Sequence, residues 1–200
     1  MPPISDPDLD RRKANLRAKL QQRRHEARAA NGDAIAALAA QRFLAAIPVR
    51  AGRAVAGYWP MDDELDPRPL MQALQQRGAI LLLPGVAARK AQPLVFRRWD
   101  AISTAPPAGR FGIPAPPEDA PVLVPDILIV PLVGFDAAGH RLGMGGGFYD
   151  ATLAALRSAG SILAVGYAFA VQQVAELPSG PLDERLDWAV TERGALAFER

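Results

Sequence analysis

The spacing of apolar positions changes character along the chain. From Asp8 to Ala30, "DLDRRKANLRAKLQQRRHEARAA", isolated leucines recur among charged residues, and Leu9, Leu16 and Leu20 fall near one face at helical spacing. This predicts a helix, with Asp8 or Asp10 as its cap. A second helix is expected over "GDAIAALAAQRFLAAI", with Ile35, Leu38, Phe43 and Ile47 inward and Pro48 as its end. After that, short apolar runs take over. "RAVAGYWP", "AILLLPG", "PLVFRRW", "DILIVPLVGF", "SILAVGYAF" and "LDWAVTE" all predict strands. "AILLLPG" is apolar without alternation, as expected of a strand covered on both faces, and "DILIVPLVGF", the most apolar run, is placed at the sheet centre.

Helical segments separate these runs. "DPRPLMQALQQRG" has Asp66 placed as cap, Pro67 at the first helical position and Gly78 as the stop. "YDATLAALRSAG" should run to Gly160, and "VQQVAEL" should form a helical turn or two. Apolar strands alternating with helices indicate an α/β protein with a largely parallel sheet. Between Pro106 and Pro125, seven of twenty residues are proline. That segment reads as an irregular excursion within a single domain of residues 1–200, anchored by "FGIP".

Composition narrows the class. Hydrophobic residues make up 50% and charged residues 22%, ordinary values for a soluble globular protein. The absence of cysteine excludes disulfide scaffolds, thiolate zinc sites and thiol nucleophiles. No apolar run approaches the ~20 residues of a membrane helix, and the start lacks the apolar core of a secretory signal. A cytoplasmic protein without a membrane partner is expected. The net charge is only +2, yet eight Lys or Arg residues lie between Arg11 and Arg28 with a single acid, Glu26. Such a stretch could contact nucleic acid, but no recognition motif accompanies it.

The candidate chemistry centres on "RLGMGGGFYD", Arg141 to Asp150, with four glycines in five positions. Glycine is costly in ordered structure, so bare backbone must be required here. The order of strand, turn, glycines and helix would expose backbone N–H groups at the start of a helix, a natural phosphate site. Tight turn and close packing remain alternatives, and Asp150 could equally cap the helix. The spacing is neither a P-loop, which needs Lys-Ser or Lys-Thr after glycine, nor "GxGxxG", since Phe148 stands where the third glycine would be. Arg141 suits phosphate oxygens. His140 reads as a polar turn residue, with a catalytic role as the alternative.

Six stretches, in order, carry a resemblance to the 5-formyltetrahydrofolate cyclo-ligase family: "KANLR", "YWPMDDELD", "LLLPGV", "FGIPAP", "VPLVGFDAAGHRLGMGGGFYDATL" and "LPSGPLDERLDWAVTE". The resemblance spans about Lys13 to Glu192. It implies a three-layer α/β/α fold with a mostly parallel sheet, similar to sugar-phosphate isomerase-like proteins. It also implies ATP-dependent conversion of 5-formyltetrahydrofolate to 5,10-methenyltetrahydrofolate. Lys13, Arg17 and the stretch Arg141, Leu142, Gly143, Met144, Gly145, Gly146, Gly147, Phe148 and Tyr149 would then bind ATP. Arg141 and Asp150 would be catalytic, and Asp150 and Asp187 would hold Mg2+. Met61, Glu64, Asp66 and Tyr149 would contact the folate, with either Glu64 or Asp66 as its main acidic contact. Tyr58, Trp59, Phe111 and Tyr149 are candidates to pack on a pterin ring. The chain departs from relatives at Met144, often tyrosine or arginine there, and at Gly146, where lysine occurs. Lys13, Arg17 and Arg141 would then supply the missing charge. The implied partners are small molecules alone, acting on a monomer. Two rivals stand beside this reading: another ATP- or phosphate-using enzyme on the same fold, and a nucleic-acid-binding protein using the basic first helix.

Overall fold

The computed structural model describes residues 6–85 and 89–199, apart from the side chain of Phe111. Helix α1 spans Pro7–Ala46. Its cap is Asp6, whose side chain accepts hydrogen bonds from the Asp8 and Leu9 amides at 3.0 and 3.4 Å, not Asp8 or Asp10. Those two acids lie in the first turn, where they complement the helix dipole. The expected break between two helices is present within this span as a kink at Asn31 (φ −166°, ψ 47°). Only one residue leaves the helical region, so the second segment continues the first. Its contact face is made largely by Ala36, Ala39, Ala40 and Phe43, whereas Leu38 is 43% exposed. Small residues let the helix approach the sheet closely, and Leu38 falls on the far side.

The strands are β1 (Ala54–Ala56), β2 (Ile80–Gly85), β3 (Val95–Arg98), β4 (Ile127–Val130), β5 (Gly134–Phe135), β6 (Arg141–Leu142), β7 (Leu163–Tyr167), β8 (Trp188–Thr191) and β9 (Gly194–Ala197). Helix α2 (Arg68–Gln76) joins β1 to β2, and α3 (Phe148–Ala159) precedes β7. Among the described residues, seven strands form one sheet in the order β3-β2-β1-β4-β7-β8-β9. The inner pairings are parallel, and β3 and β9 close the two edges antiparallel. The fold is α/β, with helices on both faces of a mostly parallel sheet.

Alternation along each strand explains the two cores. Val55, Leu81, Leu83, Ile127 and Ile129 face α1 and α2, together with Phe43, Leu70 and Leu74. Ala54, Ala56, Leu82, Leu128 and Val130 face the side of α3 with Leu153. A strand such as β4, buried on both faces, must be apolar throughout, and it does lie at the centre of the sheet.

The run "DILIVPLVGF" is not one strand. It leaves the sheet at Pro131, and Gly134–Phe135 pairs instead with Arg141–Leu142 as a small hairpin. Asp136 organises that hairpin while only 2% exposed. Its carboxylate accepts from the amides of Ala138, His140 and Leu177 and sits 3.0 Å from His140 Nδ1. Burial pushes the Asp136 pKa up, but these donors together hold it below the ordinary value. The segment "VQQVAEL" forms only a 3-10 turn, Ala170–Gln172. There the Gln172 side-chain Nε2 donates to the carbonyls of Leu132 and Val133 at 2.7 and 3.1 Å and ties the turn to the end of β4.

From β1 the chain passes through α2 to β2 on one side, and from β4 through α3 to β7 on the other. The direction reverses between β1 and β4, and ligand crevices in open α/β sheets form at such points, beyond the carboxyl ends of the strands.

Candidate functional site

A cleft of about 210 Å³ lies at this reversal point. Tyr58 and Trp59, following β1, form one wall, and Pro131 and Leu132, following β4, form another. Pro84 at the end of β2 and Ile113 and Pro114 of the proline-rich segment also line it. That segment therefore reaches the site, although the side chain of Phe111 lies outside the described residues.

The glycine run forms the floor. Gly145 and Gly147 have φ of +89° and +68°, left-handed values that a side chain would strain. A Cβ at Gly143 would meet no atom within 4 Å. Gly147 is the N-cap of α3 and supplies no side-chain bond, so the helix begins with uncapped amides facing the cleft end of the molecule. Two neighbours fix the loop. Arg17 Nε donates to the Gly143 carbonyl at 2.8 Å, and the Ala91 amide donates to the Gly146 carbonyl at 2.9 Å.

Two cations of the cleft are paired with carboxylates. Arg141 Nη2 lies 2.8 Å from Asp150 Oδ1, with the Arg141 side chain 3% exposed. Glu184 ties the pair together: its carbonyl accepts from Arg141 Nη1 at 2.8 Å and its amide donates to Asp150 at 3.0 Å. Arg157 in α3 anchors the same segment through the Glu184 carboxylate and, at 2.7 Å, the Arg185 carbonyl. Lys13 Nζ lies 2.5 Å from Asp183 Oδ2, which also accepts the Gly180 amide at 2.6 Å.

At the opposite end, Glu64 Oε2 accepts the Met61 amide at 3.1 Å, and the Glu64 amide returns a bond to the Met61 carbonyl at 3.0 Å. The Tyr58 hydroxyl donates to the Leu65 carbonyl at 2.5 Å and closes the turn. Burial raises the Glu64 pKa, opposed by the Met61 amide and by Arg24. Burial and then the Glu64 charge push the Tyr149 phenol well above its ordinary value, so it stays protonated and can donate.

One cleft thus gathers Lys13, Arg17, Arg141 to Asp150, Met61 and Glu64. Tyr58, Trp59 and Tyr149 line it too. Asp66 and Asp187 are not among the residues that line it. Asp66 is 8% exposed and is held by Arg68 in a two-pronged ion pair. Asp187 precedes β8 at the amino ends of the strands, opposite the cleft, where it accepts the Ala164 amide at 2.7 Å and lies 3.4 Å from Arg157. Asp183, four residues earlier, lines the cleft instead. The sequence reading missed it because "LDERLD" offers three acids and no local signal says which faces the site. The His140 ring is engaged by Asp136 and is not among the lining residues. Of the basic stretch in α1, Lys13 and Arg17 are drawn into the cleft. Among the described residues no three Asp, Glu or His side chains cluster as a metal cage.

A model of the 5-formyltetrahydrofolate cyclo-ligase family matches residues 10–192. The 5-formyltetrahydrofolate cyclo-ligase of Escherichia coli K12 is 38% identical over 157 residues, covering 76% of this chain and 85% of the relative. That of Haemophilus influenzae is 36% identical over 143 residues, covering 70% and 75%. Among solved structures, Aquifex aeolicus 5,10-methenyltetrahydrofolate synthetase superposes with a TM-score of 0.76 at 26% identity, covering 94% of this chain and 93% of that one. A synthetase from Mycoplasma pneumoniae shares the fold with a TM-score of 0.70 at 21% identity, covering 90% of this chain and 98% of that one.

Proposed function

The chain belongs to the 5-formyltetrahydrofolate cyclo-ligase family, and from that premise we propose how its cleft carries out the reaction. The enzyme uses ATP to convert 5-formyltetrahydrofolate to 5,10-methenyltetrahydrofolate, releasing ADP and phosphate. The observation that carries the site assignment is the convergence, in one cleft, of an uncapped helix start, a glycine floor and three cations with the turn that bears Glu64.

A formamide oxygen is a poor leaving group. Transfer of the γ-phosphoryl group from ATP to that oxygen breaks the bond to ADP and forms an imidate phosphate. N10 then attacks the formyl carbon, its proton is lost, and phosphate departs with the original formyl oxygen. The step asks for alignment and charge neutralisation, and no protein nucleophile. In this reading the 143–149 backbone and the start of α3 receive the phosphates. Lys13, Arg17 and Arg141 balance their charge. Lys13 and Arg141 exchange the carboxylates they now hold for phosphate oxygens.

Asp150 and Asp183 are the carboxylates at the glycine end of the cleft, and they fit a magnesium ion that arrives with ATP. Magnesium commonly takes one or two carboxylates and completes its shell with phosphate and water. When bound, it supplies positive charge to the phosphate oxygens during transfer. Glu64 accepts N–H groups of the pterin, Tyr149 donates to it, and Trp59 and Met61 cover its apolar surface.

The test is to mix the protein with ATP, magnesium and 5-formyltetrahydrofolate and follow methenyl absorbance. A steady rise that requires ATP is expected. A folded preparation that produces none would overturn the proposal.

A further inference from the structure

Asp66 and Arg68 are not among the residues that line the cleft, yet Arg68 touches one that does. Trp59 lines the cleft just after β1. The guanidinium carbon of Arg68 lies over the Trp59 ring, 5.1 Å from its centroid. That is within the range of a cation–π contact. Arg68 is itself fixed by Asp66. Its Nε lies 2.9 and 3.0 Å from the two carboxylate oxygens, and its Nη2 lies 2.6 Å from Oδ2. Asp66 is anchored in turn, because its Oδ1 accepts the Arg68 amide at 2.9 Å where α2 begins. Three fixed pieces therefore stack in series: helix start and carboxylate, guanidinium, indole.

A guanidinium held by a carboxylate fork cannot rotate freely, so its plane is set by the carboxylate. An indole resting on that plane has its orientation chosen before any ligand arrives. We propose that Asp66 and Arg68 are positioning residues that hold the Trp59 ring as a preformed wall for the pterin of the folate substrate. They touch neither substrate nor reacting atoms. Preorganisation of this kind strengthens binding by removing the cost of ordering a side chain on association. The inference rests on the folate reading of the 58–64 side of the cleft.

The test uses the full chain. Arg68→Met should raise KM for 5-formyltetrahydrofolate about three-fold, the scale of one partly exposed cation–π contact, and leave KM for ATP unmoved. Asp66→Asn keeps an acceptor for the Arg68 amide but not the charged fork, and should follow Arg68→Met. Arg68→Lys keeps the charge without the planar fork and should fall between. In a Trp59→Leu background, Arg68→Met should add nothing. An unchanged folate KM, an equal shift in the KM for ATP, or an undiminished effect in the Trp59→Leu background would overturn the proposal. A readout free of activity comes from the unliganded protein. Arg68→Met should alter the near-UV circular dichroism and, in a chain carrying Trp99→Phe and Trp188→Phe, increase acrylamide quenching of Trp59. Identical spectra and quenching would also overturn it. If the unsubstituted chain forms no methenyl product, the folate reading fails, and these spectra still decide whether Arg68 fixes the ring.

Discussion

The two ends of the cleft are built from different materials. At the end formed by residues 143–150 the wall is mostly backbone: two left-handed glycines, an open glycine and the uncapped start of α3. At the end formed by residues 58–64 it is side chains, Tyr58, Trp59, Met61 and Glu64, supported from behind by the Leu65 carbonyl, the Met61 amide and Arg68. A backbone wall depends on what is missing at each position, so adding atoms damages it. A side-chain wall depends on what is present and on what holds it, so removing atoms damages it. The charges divide in the same way. The first end holds compact ion pairs, Arg141 with Asp150 and Lys13 with Asp183. The second presents Glu64 to the cleft, an acid whose burial raises its pKa.

Substitutions should separate the two ends, and the largest effect belongs to Asp150. Asp150→Ala removes the partner of Arg141 and the acceptor of the Glu184 amide. We expect kcat to fall about 1,000-fold, the upper range for losing one preorganised electrostatic group. A fall of less than ten-fold would remove Asp150 from the phosphate end. Next comes Gly147→Ala. Its left-handed backbone and the Ala91 Cβ at 3.3 Å from any added Cβ leave little room. A stability loss of about 1–2 kcal/mol is expected, with a raised KM for ATP and an unchanged KM for folate. Equal shifts in both constants would contradict the division.

Glu64→Gln should reverse that pattern, raising KM for folate about ten-fold, the loss of one hydrogen bond to a charged group, while ATP binding holds. It also has a stability signature. Because the Glu64 pKa is raised in the folded protein, its contribution is full below the ordinary carboxylate value and is lost as pH rises through the raised value. Urea unfolding across that window should show the decline in the native chain and a flatter line in Glu64→Gln. Asp136, with a lowered pKa, contributes in the opposite sense, losing its stabilisation as pH falls. The smallest effect is a gain. Met144 lines the cleft and is 59% exposed, so Met144→Arg should lower KM for ATP no more than about three-fold, as expected of an exposed charge.

The same contrast explains what could be read in the sequence. The backbone end is contiguous: one stretch holds Arg141, the glycines and Asp150, and its placement between an apolar strand and a helix already argued for an anion site. The central position of β4 was legible too, because burial on both faces leaves no polar position. Long-range pairings were not. Asp183 and Asp187 lie four residues apart in the same acidic stretch, and their different fates are set by the register that pairs Trp188 with Val165. Pairing register is invisible locally. Asp66 was read as both helix cap and folate contact. It does bond the Arg68 amide at the helix start, but it also binds the Arg68 side chain, which takes it out of the cleft. The break expected between two helices is present as the kink at Asn31, where an Asn-Gly pair leaves the helical region and two helical segments meet. The run through Pro131 read as one strand, since nothing before the proline signals that the chain will turn into a hairpin.

The central claim is that this cleft moves the γ-phosphoryl group of ATP onto the formyl oxygen. The most direct measurement is a single-turnover reaction with 5-formyltetrahydrofolate labelled with ¹⁸O in the formyl group, followed by mass analysis of the phosphate released. Each phosphate is expected to carry the label. Unlabelled phosphate, with the ¹⁸O recovered in water while methenyl product accumulates, would contradict it.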